Sequence, residues 1–226
     1  MKHFVPLECN PDVFNNLLGL LDVSGVEFQD IWSLDPEMLA FLPRPVRAVL
    51  LVFPISPAYE AYRSEADSKV PEYTLSGDEE RARWYKQTIV NSCGTMALLH
   101  AISNVVPANS LGPVAAKIVA ETKDLSLAER AEYLENSEML ENAHAAVAGQ
   151  GETEAPEATD EIEFHYVCLA AKDGELVELD GRRKGPVFRG KLDGEDVLCP
   201  AGLKVIQEFM QRESGNSFSM IALVPR

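Results

Sequence analysis

The chain has 226 residues, 46% of them hydrophobic and 25% charged, an ordinary balance for a globular protein long enough to bury a sizeable core as one large domain or two small ones. Its formal net charge of −16 is not ordinary: it argues against nucleic-acid phosphate as a partner and suits a basic protein or peptide, with solubility alone as the plainer explanation. The opening MKHFVPLECN has no apolar run of signal-peptide length and no stretch is long enough to span a bilayer, so a soluble, intracellular protein without a membrane partner is expected.

In chain order, Asn10-Pro11 reads as a cap and first helical residue, and Val13, Phe14, Leu17, Leu18 and Leu21 recur at helical spacing before Ser24-Gly25 ends the element. Val26 to Trp32 reads as a short strand, and Asp35-Pro36 opens a brief helix that ends before Pro43. The run VRAVLLVF, residues 46–53, is apolar, rich in β-branched residues and bounded by prolines, which suits a central strand buried on both faces. Pro57 to Ala66 reads as helical, and the polar stretch from Asp67 to Arg83 as a surface excursion.

Further on, Pro113 opens a helix through Glu121 with Val114, Ile118 and Val119 inward, and Ser126-Leu127-Ala128-Glu129 is a capping box for a helix to about Glu135. From Glu135 to Glu163 there are nine acidic residues and no Lys or Arg; Ser137 to Val147 has the pattern of a short helix, while Gly149, Gly151, Thr153, Pro156 and Thr159 give the second half little to pack. The strands expected at 162–171, 175–180, 186–188 and 217–224, with a helix near 203–212, are too few for a separate core. One domain over residues 1–226 with a long, mobile loop therefore fits better than two domains on a linker.

The segment QTIVNSCGTMALL, from Gln87 to Leu99, places Cys93 in the first turn of an apolar helix, with Asn91 and Ser92 as candidate caps and Gly94 leaving the sulfur approachable. Unpaired amides and the positive end of the helix dipole favour the thiolate form there, and Gln87, six residues earlier, offers an uncharged donor for an oxygen developing negative charge. The alternative is a small core cysteine, and what decides between them is a partner base. Cys9, Cys93, Cys168 and Cys199 form neither a C-x-x-C pair nor the Cys/His spacing of a zinc site, so reduced thiols in a cytoplasmic or nuclear compartment, and no metal, are expected.

Position sorts the histidines. His3 lies in a loose end, His144 in the mobile acidic segment, and His100 about 10 Å along the helix axis from Cys93, too far for a direct hydrogen bond. His165 stands in the strand IEFHYVCLA, which Asp173-Gly174 folds back against ELVELD, so that Asp180 falls opposite Val167 or Tyr166 and within reach of the imidazole. A neighbouring carboxylate fixes the tautomer and makes the ring more basic, as a base serving a thiol requires; a strand histidine satisfied by a surface aspartate is the other reading.

The strings QTIVNSCGT, FHYVCLA and LDGR, in the order Gln, Cys, His, Asp, resemble the ubiquitin C-terminal hydrolase family of cysteine deubiquitinases. PLECNPDVFN, FQDIWSLDPEML and PRPVRAVLLVFP are similar to that family's first third, and LAERAEYLENSEML with GQGETEAP to its small members that consist of the catalytic domain only, so the resemblance covers nearly the whole chain. It implies a papain-like α/β (α+β) fold, with a central antiparallel sheet flanked by helices and a knotted backbone.

By the same resemblance Cys93 is the nucleophile, His165 the general base and acid, Asp180 the orienter and Gln87 the oxyanion donor, with no cofactor. The reaction implied is hydrolysis of small adducts or short peptides from the C-terminal glycine of ubiquitin by a monomer. Segment 136–161 becomes a crossover strap over the site, and Glu8, Asp12 and Asp30 match acidic positions that contact ubiquitin. Arg83-Trp84-Tyr85 and the basic Arg182-Arg183-Lys184 depart from the common pattern; neither is expected to touch the four roles, though both could alter leaving-group preference. Two other functions stay open: a ubiquitin-binding or sequestering protein with weak turnover, and a hydrolase specific for a ubiquitin-like modifier.

Overall fold

A computed structural model describes residues 2–160, 162–212 and 217–226. Among these the elements run α1 (Pro11–Leu20), β1 (Val26–Asp30), α2 (Pro36–Leu39), β2 (Ala48–Pro54), α3 (Pro57–Ser68), α4 (Cys93–Val105), α5 (Pro113–Glu121), α6 (Leu127–Glu135), α7 (Glu138–Val147), β3 (Phe164–Lys172), β4 (Glu175–Leu179), β5 (Val187–Lys191), α8 (Pro200–Arg212) and β6 (Ser219–Pro225). The helix starts are set by local chemistry. Asn10, Asp35, Ser56 and Ser137 each accept a first-turn backbone N–H, and Ser126 with Glu129 closes a full capping box.

The six strands form one antiparallel sheet in the order β1-β6-β2-β3-β4-β5. The apolar run of β2 lies between β3 and β6, and its alternation divides the core: Ala48, Leu50 and Val52 face α1, α4 and α7, while Val49, Leu51 and Phe53 face α8 and Tyr59 of α3. No helix among the described residues is long and apolar enough to cross a membrane.

Several expectations need correction. The short helix expected over Ser137 to Val147 is present but is packed rather than mobile: Leu140, Ala143, His144 and Val147 are buried against the rest of the core, so the irregular part of the 136–161 segment begins only after Ala148. The excursion after α3 is anchored at both ends, by buried Asp67 and by buried Ala82, Trp84 and Tyr85. His3 and Phe4 are not loose, because His3 pairs with Val90 in a parallel bridge and Phe4 N donates to Val90 O. On α5 the core residues are Ala115 and Ile118, with Val114 and Val119 only half-buried.

Candidate active site

The hairpin of β3 and β4 brings the first two groups together. Lys172 pairs with Glu175 across Asp173 and Gly174, both at positive φ (51° and 76°), the geometry of a two-residue turn that matches strand twist. Counting back from that turn, Cys168 opposes Leu179, so Asp180 falls one position past the ladder and diagonal to His165. His165 Nε2 lies 2.7 Å from Asp180 Oδ1, and both side chains are buried. With Nε2 on the carboxylate, the other ring nitrogen is not engaged by Asp180, and the Cys93 thiol is near enough to affect the ring's protonation.

The electrostatics follow from this enclosure. Burial pulls the imidazole pKa down, but the Asp180 charge, its hydrogen bond and the Cys93 thiol outweigh it and push His165 up to about 9. For Asp180, burial pushes upward, and His165 together with hydrogen bonds from Tyr59 and Arg182 holds the carboxyl well below its usual range. Each carboxylate oxygen is satisfied. Oδ1 also accepts from Arg182 N at 2.8 Å and Oδ2 accepts from the Tyr59 hydroxyl at 2.6 Å.

Cys93 is the first residue of α4, as the sequence suggests, but the flanking side chains are not caps. Ser92 Oγ donates backwards to Ile89 O, and Asn91, at φ 60°, donates its amide to the carbonyls of Ala158 and Asp160. No side chain caps the helix start, so its first-turn N–H groups remain directed at whatever stands before the thiol. Gly94 serves packing rather than access: a Cβ there would lie 3.3 Å from Leu7 Cβ and 3.4 Å from Phe14 Cζ.

Gln87 is held beside the same helix start, since its Nε2 donates to Ile89 O at 3.3 Å, the carbonyl that also accepts Ser92 Oγ. An amide nitrogen carries two protons, and this weak bond engages one. Its backbone N donates to Gly181 O at 2.9 Å, and a Cβ on Gly181 would come within 2.8 Å of Gln87 Cβ, so the glycine of LDGR permits a close approach of two chain segments. Trp84 Nε1 donates to the Asp180 carbonyl. The segments around Trp84 and Arg182 therefore both touch Asp180, contrary to expectation.

The basic turn after Asp180 is absorbed internally. Arg182 pairs with Glu60, Lys184 donates to Val70 O, and buried Arg183 binds Asp67 at 2.6 Å and Glu178 at 3.2 Å. The other histidines are structural. His144 bridges Thr95 Oγ1 and Val5 O, each at 2.7 Å, and His100 accepts from Tyr85 N; burial lowers both to about 4.

Cys93 opens into a cleft of about 580 Å³ walled by Leu7, Cys9, Tyr166 and, on the far side, Thr153 and Pro156 of the irregular segment. Glu8, expected to contact a partner, receives that segment in this structure: its carboxylate accepts Glu152 N, Thr153 N and the Thr153 hydroxyl, and these bonds, against burial, take its pKa down to about 2. Asp12 and Asp30 line a separate groove of about 460 Å³, rimmed by Trp32 and Phe41, which are 81% and 82% exposed. Burial, then repulsion from Asp12 and Glu152, raises the Asp30 carboxyl.

The sequence reading missed Tyr59, Trp84 and Gly181, whose contacts to this site span long separations and leave no local signal.

A helix-borne thiol, a strand-borne imidazole and a carboxylate behind it, set around one antiparallel sheet, define a papain-like cysteine peptidase. Known proteins narrow the class. A model of the family described as ubiquitin carboxyl-terminal hydrolase, family 1, matches residues 4–211. The chain is 37% identical over 230 residues to ubiquitin carboxyl-terminal hydrolase 3 of Arabidopsis thaliana, covering 100% of this chain and 95% of that one. It is 38% identical over 224 residues to ubiquitin carboxyl-terminal hydrolase isozyme L1 of Homo sapiens, covering 96% of each. In fold it is similar to the catalytic domain of Trichinella spiralis UCH37, solved bound to ubiquitin vinyl methyl ester, with a TM-score of 0.77 at 21% identity over 100% of this chain and 97% of that one. The chain belongs to the ubiquitin C-terminal hydrolases of family 1, and is a thiol-dependent hydrolase.

Proposed function

We propose that Cys93 is the nucleophile, His165 the general base and acid, Asp180 its orienter and Gln87 an oxyanion donor, acting on the C-terminal glycine of ubiquitin. The supporting observation is the buried 2.7 Å hydrogen bond between Asp180 and His165, with the Cys93 thiol close enough to help raise the imidazole pKa. With its pKa raised, His165 carries a proton near neutrality, and Cys93 reacts as its thiolate. That thiolate attacks the glycine carbonyl, and the first-turn N–H groups of α4 with the free amide proton of Gln87 receive the oxyanion. His165 then protonates the leaving amine or thiol and activates the water that clears the acyl-enzyme. None of these steps calls for a metal or an organic cofactor.

Ubiquitin is the proposed partner, docking its apolar and basic surface on the groove that carries Trp32, Phe41, Asp12 and Asp30. A guanidinium beside Asp30 would relieve the repulsion there. The segment spanning the cleft supports small adducts and short peptides as leaving groups. We further propose a monomer in the cytoplasm and nucleus; the four free cysteines support a reducing compartment.

The test is hydrolysis of a ubiquitin C-terminal fluorogenic amide beside the same amide of a ubiquitin-like modifier. Turnover of the first that vanishes in Cys93→Ser supports the reading. Tight ubiquitin binding with equal, negligible release by both forms would oppose it, as would preference for the other modifier.

A further inference from the structure

The strongest clue outside the four proposed catalytic residues lies behind Asp180. Tyr59 sits in the first turn of α3, its N–H capped by Ser56 Oγ at 3.0 Å, and its side chain is 2% exposed. The ring packs edge-on against Phe53, with centroids 4.7 Å apart, and lies tilted 6.3 Å from His165. Its hydroxyl donates to Asp180 Oδ2 at 2.6 Å, from a position 121 residues away in the chain. A phenol whose own ionisation is strongly opposed by burial and by Asp180 remains a donor throughout the working pH range.

We infer that Tyr59 is a positioning residue for the hydrolysis: its phenol fixes the Asp180 carboxylate and, through it, sets how firmly His165 holds its proton. This rests on the assignment of His165 and Asp180 given above. The physical argument concerns competition for one carboxylate. Oδ1 is shared by His165 and Arg182 N, and Oδ2 by Tyr59. Three donors spread the negative charge, so the imidazolium is held in place without being held so tightly that it is a poor acid. With the hydroxyl gone, Oδ2 loses its donor, the carboxylate becomes more basic, and His165 gives up its proton less readily.

Other charges define the background. Cys93 and His100 of α4 bear on the imidazole itself, while Glu178 of β4, Arg183 after the turn and Arg63 of α3 bear on Asp180, and Arg182, whose N–H binds Asp180, is paired with Glu60. None of these is altered by Tyr59→Phe, which keeps the ring and its packing.

The experiment compares wild type, Tyr59→Phe and Asp180→Asn in steady-state hydrolysis of a ubiquitin C-terminal fluorogenic amide from pH 6 to 10. His165 is also titrated by NMR in Cys93→Ala with and without Tyr59→Phe, circular dichroism confirming that each is folded. Tyr59→Phe is expected to lower kcat about tenfold, to change KM less than about twofold, and to move both the alkaline limb and the NMR titration upward by about half a pH unit or more. A limb and a titration both unmoved overturn the inference, because a merely structural tyrosine would lower stability alone. If Asp180→Asn also leaves the limb in place, the assignment of His165 and Asp180 fails with it.

Discussion

Glu8 and Thr153 stand 145 positions apart, yet the Glu8 carboxylate accepts both the backbone N–H of Thr153 at 2.9 Å and its hydroxyl at 2.5 Å. Together with Asn91, which binds the carbonyls of Ala158 and Asp160, this bond fastens the irregular segment across the cleft at two points. Glu8→Gln removes the charge that strengthens the first of them. We expect faster release of a folded domain fused to ubiquitin relative to a small amide, and faster amide hydrogen exchange over residues 150–160. If Glu8 instead grips the substrate, KM rises equally for both substrates and exchange is unchanged.

The raised pKa of His165 predicts two pH effects. Activity should decline above about pH 9 as the imidazolium is lost, and Asp180→Asn should move that limb toward the ordinary histidine value while lowering kcat about a hundredfold or more. For stability, a folded-state pKa above the unfolded value means that the contribution is fully present below about 6.5 and disappears as pH rises through about 9. Urea midpoints between pH 6 and 10 measure this, and Asp180→Asn should flatten the alkaline slope.

His100 and His144 act in the opposite direction. Both are held near 4 in the fold, so the unfolded chain takes up protons first, and stability present above about 6.5 is lost as pH falls toward 4. Each contributes at most about 3 kcal/mol over that window, at about 1.4 kcal/mol per pH unit. In His144→Gln the dependence of unfolding free energy on pH between 6 and 4.5 should be shallower by about one proton. An unchanged slope would show that His144 is not the group responsible.

Gly181→Ala tests the close approach between the Asp180 turn and Gln87. The added methyl would meet Gln87 Cβ at 2.8 Å and Gln87 N at 3.0 Å, and the backbone nitrogen cannot swing aside as a side chain does. A loss of about 1–3 kcal/mol in stability is expected, with kcat reduced and KM for the fluorogenic amide nearly unchanged. Wild-type kcat in a folded variant would mean that Gln87 tolerates displacement.

How much of this was legible in the sequence depended on distance along the chain. Asn10-Pro11, Asp35-Pro36 and the Ser126 box signal their helices because the cap and its acceptor are neighbours, and Asp173-Gly174 signals the register that brings Asp180 to His165. Composition misled where tertiary packing decides. The acidic run shows the helix α7 but hides how firmly it packs, because its acids Glu138 and Glu141 face outward while His144 and Leu140 anchor it from within. Likewise Arg182 and Arg183 read as a basic surface, yet Glu60, Asp67 and Glu178, each remote or on another element, neutralise them. The phenol of Tyr59 gave no hint, since a tyrosine in an ordinary amphipathic helix does not announce its partner.

The hairpin carries a lesson for tolerance to change. Asp180 hangs from the free end of β4, and its height relative to His165 is counted off from a turn seven residues away. A single residue added between Lys172 and Glu175 would shift that count and turn the carboxylate to the opposite side of the sheet, silencing the enzyme at a site far from any bond it breaks. Lengthening the segment that spans the cleft carries no such ratchet. Natural variation in family size should therefore accumulate over the cleft and be nearly absent at Asp173 and Gly174.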